Sequence, residues 1–137
     1  EIGKKKKTPL QKSQPLHLKL RQGVDLYIGK NNKQNDYVTF TIGGPRDLWL
    51  HTKDIPGSHI IMKATTPTPE DIALAVELAA YFSKARSGSN VPVDCVERRY
   101  VKKPAGAKPG FVIFTNQRTY YATPDEHKLA PYLEQCR

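Results

Sequence analysis

The chain has 137 residues, with 22 Lys and Arg against 13 Asp and Glu for a formal charge of +9, the size of one domain with one core. An apolar content of 38%, with one Trp, four Phe and seven Tyr, is too rich for a disordered polycation. Uninterrupted apolar runs such as 72–76 fall far short of the roughly 20 residues that cross a bilayer, so no membrane role is expected, and the positive balance points to a polyanionic partner.

The chain opens on Glu1 and its one methionine is Met62, as expected of a piece of a longer protein. The lysines at 4–7 are not followed by the apolar stretch of a secretory signal. Cys95 and Cys136 lie far apart and outside any CxxC spacing, which fits a reduced, cytoplasmic compartment better than a disulfide framework. Residues 1–22 hold seven basic residues and one acid, so +6 of the charge lies there; the remainder, with 15 basic and 12 acidic residues, carries +3. Residues 1–15, with Pro9, Pro15 and little to bury, read as a basic linker, and the domain is expected to span 16–137.

Leu16, Leu18 and Leu20 alternate with His17 and Lys19, and Gly23 separates them from a second β-prone run at 24–28, which predicts a hairpin. Residues 29–36, Gly-Lys-Asn-Asn-Lys-Gln-Asn-Asp, read as a polar loop. The β-branched and aromatic run 37–42, closed by Gly43-Gly44-Pro45, predicts a third strand. Runs at 47–51, 60–63, 93–101, 111–115 and 119–122 predict five more. One helix is specified at both ends. Thr68 caps it, Pro69 suits its first turn, Glu70 and Asp71 face its positive pole, and Lys84 and Arg86 its negative one before Gly88. From 72 to 82 every residue except Glu77 is apolar, so this helix should be buried against the sheet. A weaker helix follows at 125–135, interrupted by Pro131. The expected class is α+β, a largely antiparallel sheet packed around one central apolar helix with a short C-terminal helix.

Three segments carry polar groups in patterns that point to chemistry. In the first, Lys30, Asn31, Asn32, Lys33, Asn35 and Asp36 offer donors and acceptors to phosphates and base edges, or simply cap their own turn. In the second, alternation puts Asp47, Trp49 and His51 on one sheet face, and Lys53, Asp54, Gly57, Ser58 and His59 follow in a turn. Trp49 either stacks on a base or closes the end of the sheet. His51, Asp54 and His59 lack HExxH spacing, so no metal and no cofactor are expected. Neither GxSxG nor a P-loop occurs. The third segment, 98–110, holds Arg98, Arg99, Lys102, Lys103 and Lys108 with no acid, punctuated by Pro and Gly. If the three converge, they form a basic groove with an aromatic floor.

The strings YIGKNNKQNDYVTF, DLWLHTKDIPGSHII, ELAAYFSKARS and VKKPAGAKPGFV, in that order over 24 to about 122, resemble the C-terminal NFACT-R domain of NFACT proteins. That family includes ribosome-associated quality-control factors, some of them bacterial proteins described as fibronectin-binding. The resemblance implies an RNA-binding domain without catalytic residues of its own, preceded by an N-terminal domain and a coiled coil that this chain lacks. It implies tRNA and large-subunit ribosomal RNA as partners, in support of untemplated elongation of stalled chains, in the cytoplasm and on the ribosome. The family's motifs map onto Gly29, Asn31, Asn32, Asn35 and Asp36; onto Trp49, His51, Asp54, Gly57, Ser58 and His59; and onto Lys102, Lys103, Gly106, Lys108 and Gly110. Two alternatives stand beside this reading: a metal- or His-dependent RNA-processing enzyme, and a fibronectin-binding surface adhesin.

Overall fold

Thr68 and Asp71 set the start of the central helix by satisfying each other's backbone. The Thr68 hydroxyl accepts from the Asp71 N–H at 3.1 Å, and the Asp71 carboxylate accepts from the Thr68 N–H at 2.9 Å, which removes two of the donors that a helix N-terminus leaves unpaired. The computed structural model describes residues 13–136, so all but the last three residues of the expected linker lie outside the described residues. The hairpin is β1 (Leu16–Arg21) and β2 (Val24–Ile28), followed by β3 (Leu48–Thr52), β4 (Ile60–Ala64), the central helix (Pro69–Tyr81) and β5 (Val91–Glu97). Short strands Val101–Lys102 and Ile113–Phe114, here β6 and β7, form a separate two-stranded flap, and β8 (Arg118–Ala122) and a C-terminal helix (Glu126–Leu133) complete the chain. The six-stranded sheet runs in the order β1-β2-β4-β3-β5-β8, every pair antiparallel. This is the expected α+β architecture.

One departure decides the site. Residues 29–36 are not all loop and 37–42 are not a strand: helix α1 (Asn32–Tyr37) runs directly into a π-helical turn over Val38–Ile42, closed by the Gly43 N–H donating to the Val38 carbonyl at 2.9 Å. Gln34, Asn35, Val38 and Thr39 are all buried. Neighbours 38 and 39 would point to opposite faces in a strand, whereas the 34, 35, 38, 39 spacing is one face of a helix. Tertiary burial outweighs the β preference of Val, Thr and Ile. With the central helix as α2 and the C-terminal one as α3, the numbering runs in chain order. The expected strand at 93–101 is also broken, since a 3-10 turn over Arg98–Tyr100 lets the chain leave the main sheet for the flap.

The sheet is covered on both sides. One face carries Leu26, Leu50, Ile60 and Met62 against Ala75, Leu78 and Ala79 of α2 and Leu129 of α3. The other buries Trp49, Ile61 and Val96 beneath Val38 of the π-turn and Val101 of the flap. Glu77, the one charged residue between 72 and 82, receives the Asp125 N–H and the Lys128 ammonium at 3.0 Å each, fastening α3. At the exposed edge of β1, Gln135 accepts from the Lys19 N–H at 2.8 Å and donates to its carbonyl at 2.9 Å, blunting a free strand edge. The anticipated cations at the end of α2 fall just beyond it, because the helix stops at Tyr81. Arg86 still donates from Nε to the Tyr81 carbonyl at 2.8 Å.

Arg21 of β1 grips the Asp71 carboxylate with two hydrogen bonds, 3.0 and 2.8 Å, and these hold that carboxyl down at about 2. Asp71→Ala removes the carboxylate half of the capping box and this grip together, while the Thr68 hydroxyl keeps its bond from the residue-71 N–H. The variant is expected to lose about 2 kcal/mol of stability, read as a lower urea midpoint at unchanged m-value.

Candidate nucleic-acid interface

The three polar segments do converge, through backbone N–H groups that donate to a carbonyl and to the side chains of Asn35 and Asp36. The Gly29 N–H donates to the His59 carbonyl at 3.1 Å, and the His59 N–H donates to Asn35 Oδ1 at 3.0 Å. A Cβ on Gly29 would lie 2.1 Å from that Asn35 oxygen, so only glycine fits there. One residue on, Asp36 accepts from the Gly110 N–H at 3.0 Å and pairs with the Lys103 ammonium at 3.1 Å. Lys103 also donates to the Lys108 and Phe111 carbonyls. Gly110 has φ +87°, and a Cβ there would meet Asn32 Oδ1 at 2.8 Å. Helix α1 thus receives the basic loop against its own polar face.

Beneath this contact lies a buried hydrogen-bonded chain. Trp49 Nε1–H donates to Thr39 Oγ1 at 3.1 Å, and the Thr39 hydroxyl donates to His59 Nδ1 at 2.9 Å. With Nδ1 taken as the acceptor, the His59 proton lies on Nε2, on the side of the Gly110 carbonyl. Burial, with His51 and Lys103 nearby, holds His59 down to about 3. The His51 ring lies 5.2 Å away; burial lowers its pKa too, outweighing the opposite pull of Asp94 and the Gly57 carbonyl.

The expected site residues divide accordingly. Lys30, Asn31, Asn32, Lys33, Lys53, Asp54, Lys102 and Lys108 are exposed, and His51 and Ser58 are partly so. Asn31 caps α1, accepting from the Gln34 N–H at 2.9 Å. Trp49, Asn35 and His59 are buried at 0%, 4% and 2% exposure. Trp49 is therefore no stacking platform: the ring expected to floor an open groove lies under Phe114, at 4.8 Å between centroids. The bland reading, that Trp49 closes the sheet, is the one realised. Lys103 and Asp36 neutralise each other, so Lys103 is a staple for the loop rather than a free phosphate contact.

Two adjoining grooves run over this scaffold. The larger, about 550 Å³, is bounded by Lys30, Asn31, Asn32, Phe82, Lys84 and Arg86 among others, with no carboxylate in its lining. It continues past the same two asparagines into a groove of about 500 Å³ flanked by Lys33 and Lys108. Together they make a strip of five cations. Lys84 and Arg86 were not anticipated here, because sequence reasoning assigns them to the pole of α2. What brings them in is the Pro56–Ser58 turn, where the Ser58 N–H donates to the Phe82 carbonyl at 3.0 Å and the Lys84 N–H to the Pro56 carbonyl at 2.9 Å. Among the described residues no three His, Cys, Asp or Glu side chains gather as a metal-binding group, and no helix is long and apolar enough to cross a membrane.

A family model described as the NFACT protein RNA binding domain matches residues 16–109. The chain belongs to this family. Its defining description is binding of RNA, not a reaction. Among curated relatives, the Rqc2 homolog RqcH of Bacillus subtilis is 52% identical over 103 residues, 75% of this chain and 18% of that protein. The Rqc2 homolog RqcH of Streptococcus suis is 46% identical over 105 residues, 76% of this chain and 19% of its own length. The chain thus spans about a fifth of the length of the curated relatives it matches. A solved structure, the C-terminal part of the fibronectin/fibrinogen-binding protein of Streptococcus suis, superposes with a TM-score of 0.84 at 42% identity, covering 89% of this chain and 50% of that one.

The buried imidazole has a consequence for stability. Unfolded His59 takes up a proton near 6.5, folded His59 only near 3. Between these values the unfolded chain binds more protons, so stability falls as pH drops. His51 acts in the same direction. Urea unfolding at pH 7 and pH 5 is expected to differ by about 2 kcal/mol or more; equal midpoints would contradict the buried neutral pair.

Proposed function

We propose that residues 16–137 form the RNA-binding unit of a ribosome-associated quality-control factor, and that residues 1–15 are the basic tether joining it to a preceding coiled coil. In this reading the unit helps hold tRNA, or large-subunit ribosomal RNA, in the cytoplasm while untemplated residues are added to a stalled chain. It performs no chemistry of its own. The observation that carries the reading is the acid-free strip formed by Lys30, Lys33, Lys84, Arg86 and Lys108 beside the exposed amides of Asn31 and Asn32. Cations of this kind hold phosphates, and the amides hydrogen-bond riboses or base edges. Family membership and the Rqc2 homologs support it.

The staple at Lys103 sharpens the expectation. Five strip cations, with Lys103 excluded, give a slope of log affinity against log salt near about −3.5 on single-stranded RNA. Anisotropy titrations of a labelled tRNA and of a large-subunit rRNA fragment from low to moderate salt measure it. Reversing Lys30, Lys33 and Lys108 to Glu is expected to flatten the slope by about 2 and to abolish co-sedimentation with large subunits. A flat salt dependence, or unchanged binding in the triple variant, removes this reading. The same titration against fibronectin separates it from an adhesive role of the kind the Streptococcus suis protein is named for.

A further inference from the structure

We propose that a second cleft, beside the lysine strip, receives one unpaired nucleobase of the bound RNA; the proposal rests on the RNA-interface reading above. This cleft of about 430 Å³ opens between the 53–56 turn and the flap, a volume in the range of small-ligand sites. Its interior is aromatic. Trp49 lies at the bottom with Phe114 tilted over it at 4.8 Å and His51 stacked beside it at 5.9 Å. At the mouth Phe111 stands 56% exposed, a large apolar ring left in water three residues from Lys108.

Charge separates the two grooves. The strip holds no carboxylate, whereas Asp54 and Asp94 line this cleft. A phosphate is disfavoured beside carboxylates, but a neutral planar base is not, and Asp54 and Gln117 at the lining offer hydrogen-bond partners to its edge. Both imidazoles stay neutral at pH 7, so Lys53 is the one cation in the lining, set against the two carboxylates. The route between grooves is short. Lys108 and Pro109 border the strip, and the next residues, Gly110 and Phe111, border the cleft. A backbone held at Lys33 and Lys108 thus passes the mouth, where a base turned out of the chain meets the Phe111 face. Stacking on an exposed aromatic is the sequence-tolerant way to hold single strands.

Trp49 is the chain's one tryptophan and reports on the cleft directly. The chain is titrated with single-stranded hexacytidylate, with a blunt RNA duplex and with cytidine monophosphate, following affinity by anisotropy or calorimetry and Trp49 emission by fluorescence. Both RNAs are expected to bind with salt dependence, and only the single strand to change Trp49 emission. Phe111→Ala, an exposed substitution, is expected to weaken single-strand binding by about 5- to 100-fold and duplex binding by less than about twofold. Single-strand binding with unaltered emission and no loss in Phe111→Ala overturns the proposal while leaving the strip intact. A response to the mononucleotide alone also overturns it. Binding of neither RNA overturns the interface reading and this proposal with it.

Discussion

Thr39 accepts from the Trp49 indole and donates to the His59 imidazole, and that one hydroxyl ties the sheet, the helical segment and the 53–59 turn into a single body. A buried polar group without partners costs on the order of 1–3 kcal/mol. Here each member has a partner, and next to His59 the Asn35–Asp36 pair carries the bonding outward to Gly110 and Lys103 of the basic loop. The loop's position is therefore set by directional bonds rather than by apolar contact alone. A slipped arrangement would strand several polar groups at once, so the node specifies the geometry more sharply than its net energy suggests.

The same arrangement sorts charges by task. Asp36 takes the Gly110 amide and the Lys103 ammonium, so one lysine of the basic loop is consumed in holding the loop down. Lys108 and, across the asparagines, Lys33 and Lys30 remain exposed. Lys84 and Arg86 enter from the far end of α2 through the hydrogen-bonded turn at Ser58. Local sums of charge would have counted Lys103 and omitted these two. Carboxylates are absent from one groove and present in its neighbour, which gives adjacent surfaces opposite preferences.

Much of this was legible in the residues. The capped, nearly all-apolar stretch beginning at Thr68, the hairpin around Gly23 and the antiparallel sheet all follow from periodicity and end signals. The helical path of 32–42 did not, because Gln34 and Asn35 look like surface residues until their partners are seen. Gln34 reaches Ser13, and Asn35 reaches the His59 amide. Read as buried, they complete a helical face with Val38 and Thr39; read as exposed, they leave a β-branched run that looks like a strand. Trp49 misled for the complementary reason. Alternation places it correctly on the face shared with His51, but nothing local says that a second layer covers that face. The π-turn at 38–42 and the long-range fold of 101–114 together supply the cover.

Gln34 has one more effect. Its side-chain amide donates to the carbonyl and hydroxyl oxygens of Ser13 at 3.0 and 2.8 Å, and Leu16, three residues on, borders the larger groove. The start of β1 is therefore held at the rim of the lysine strip. One amide thus ties the edge strand β1 to helix α1, so two walls of the larger groove are fixed relative to each other although no strand pairing links them.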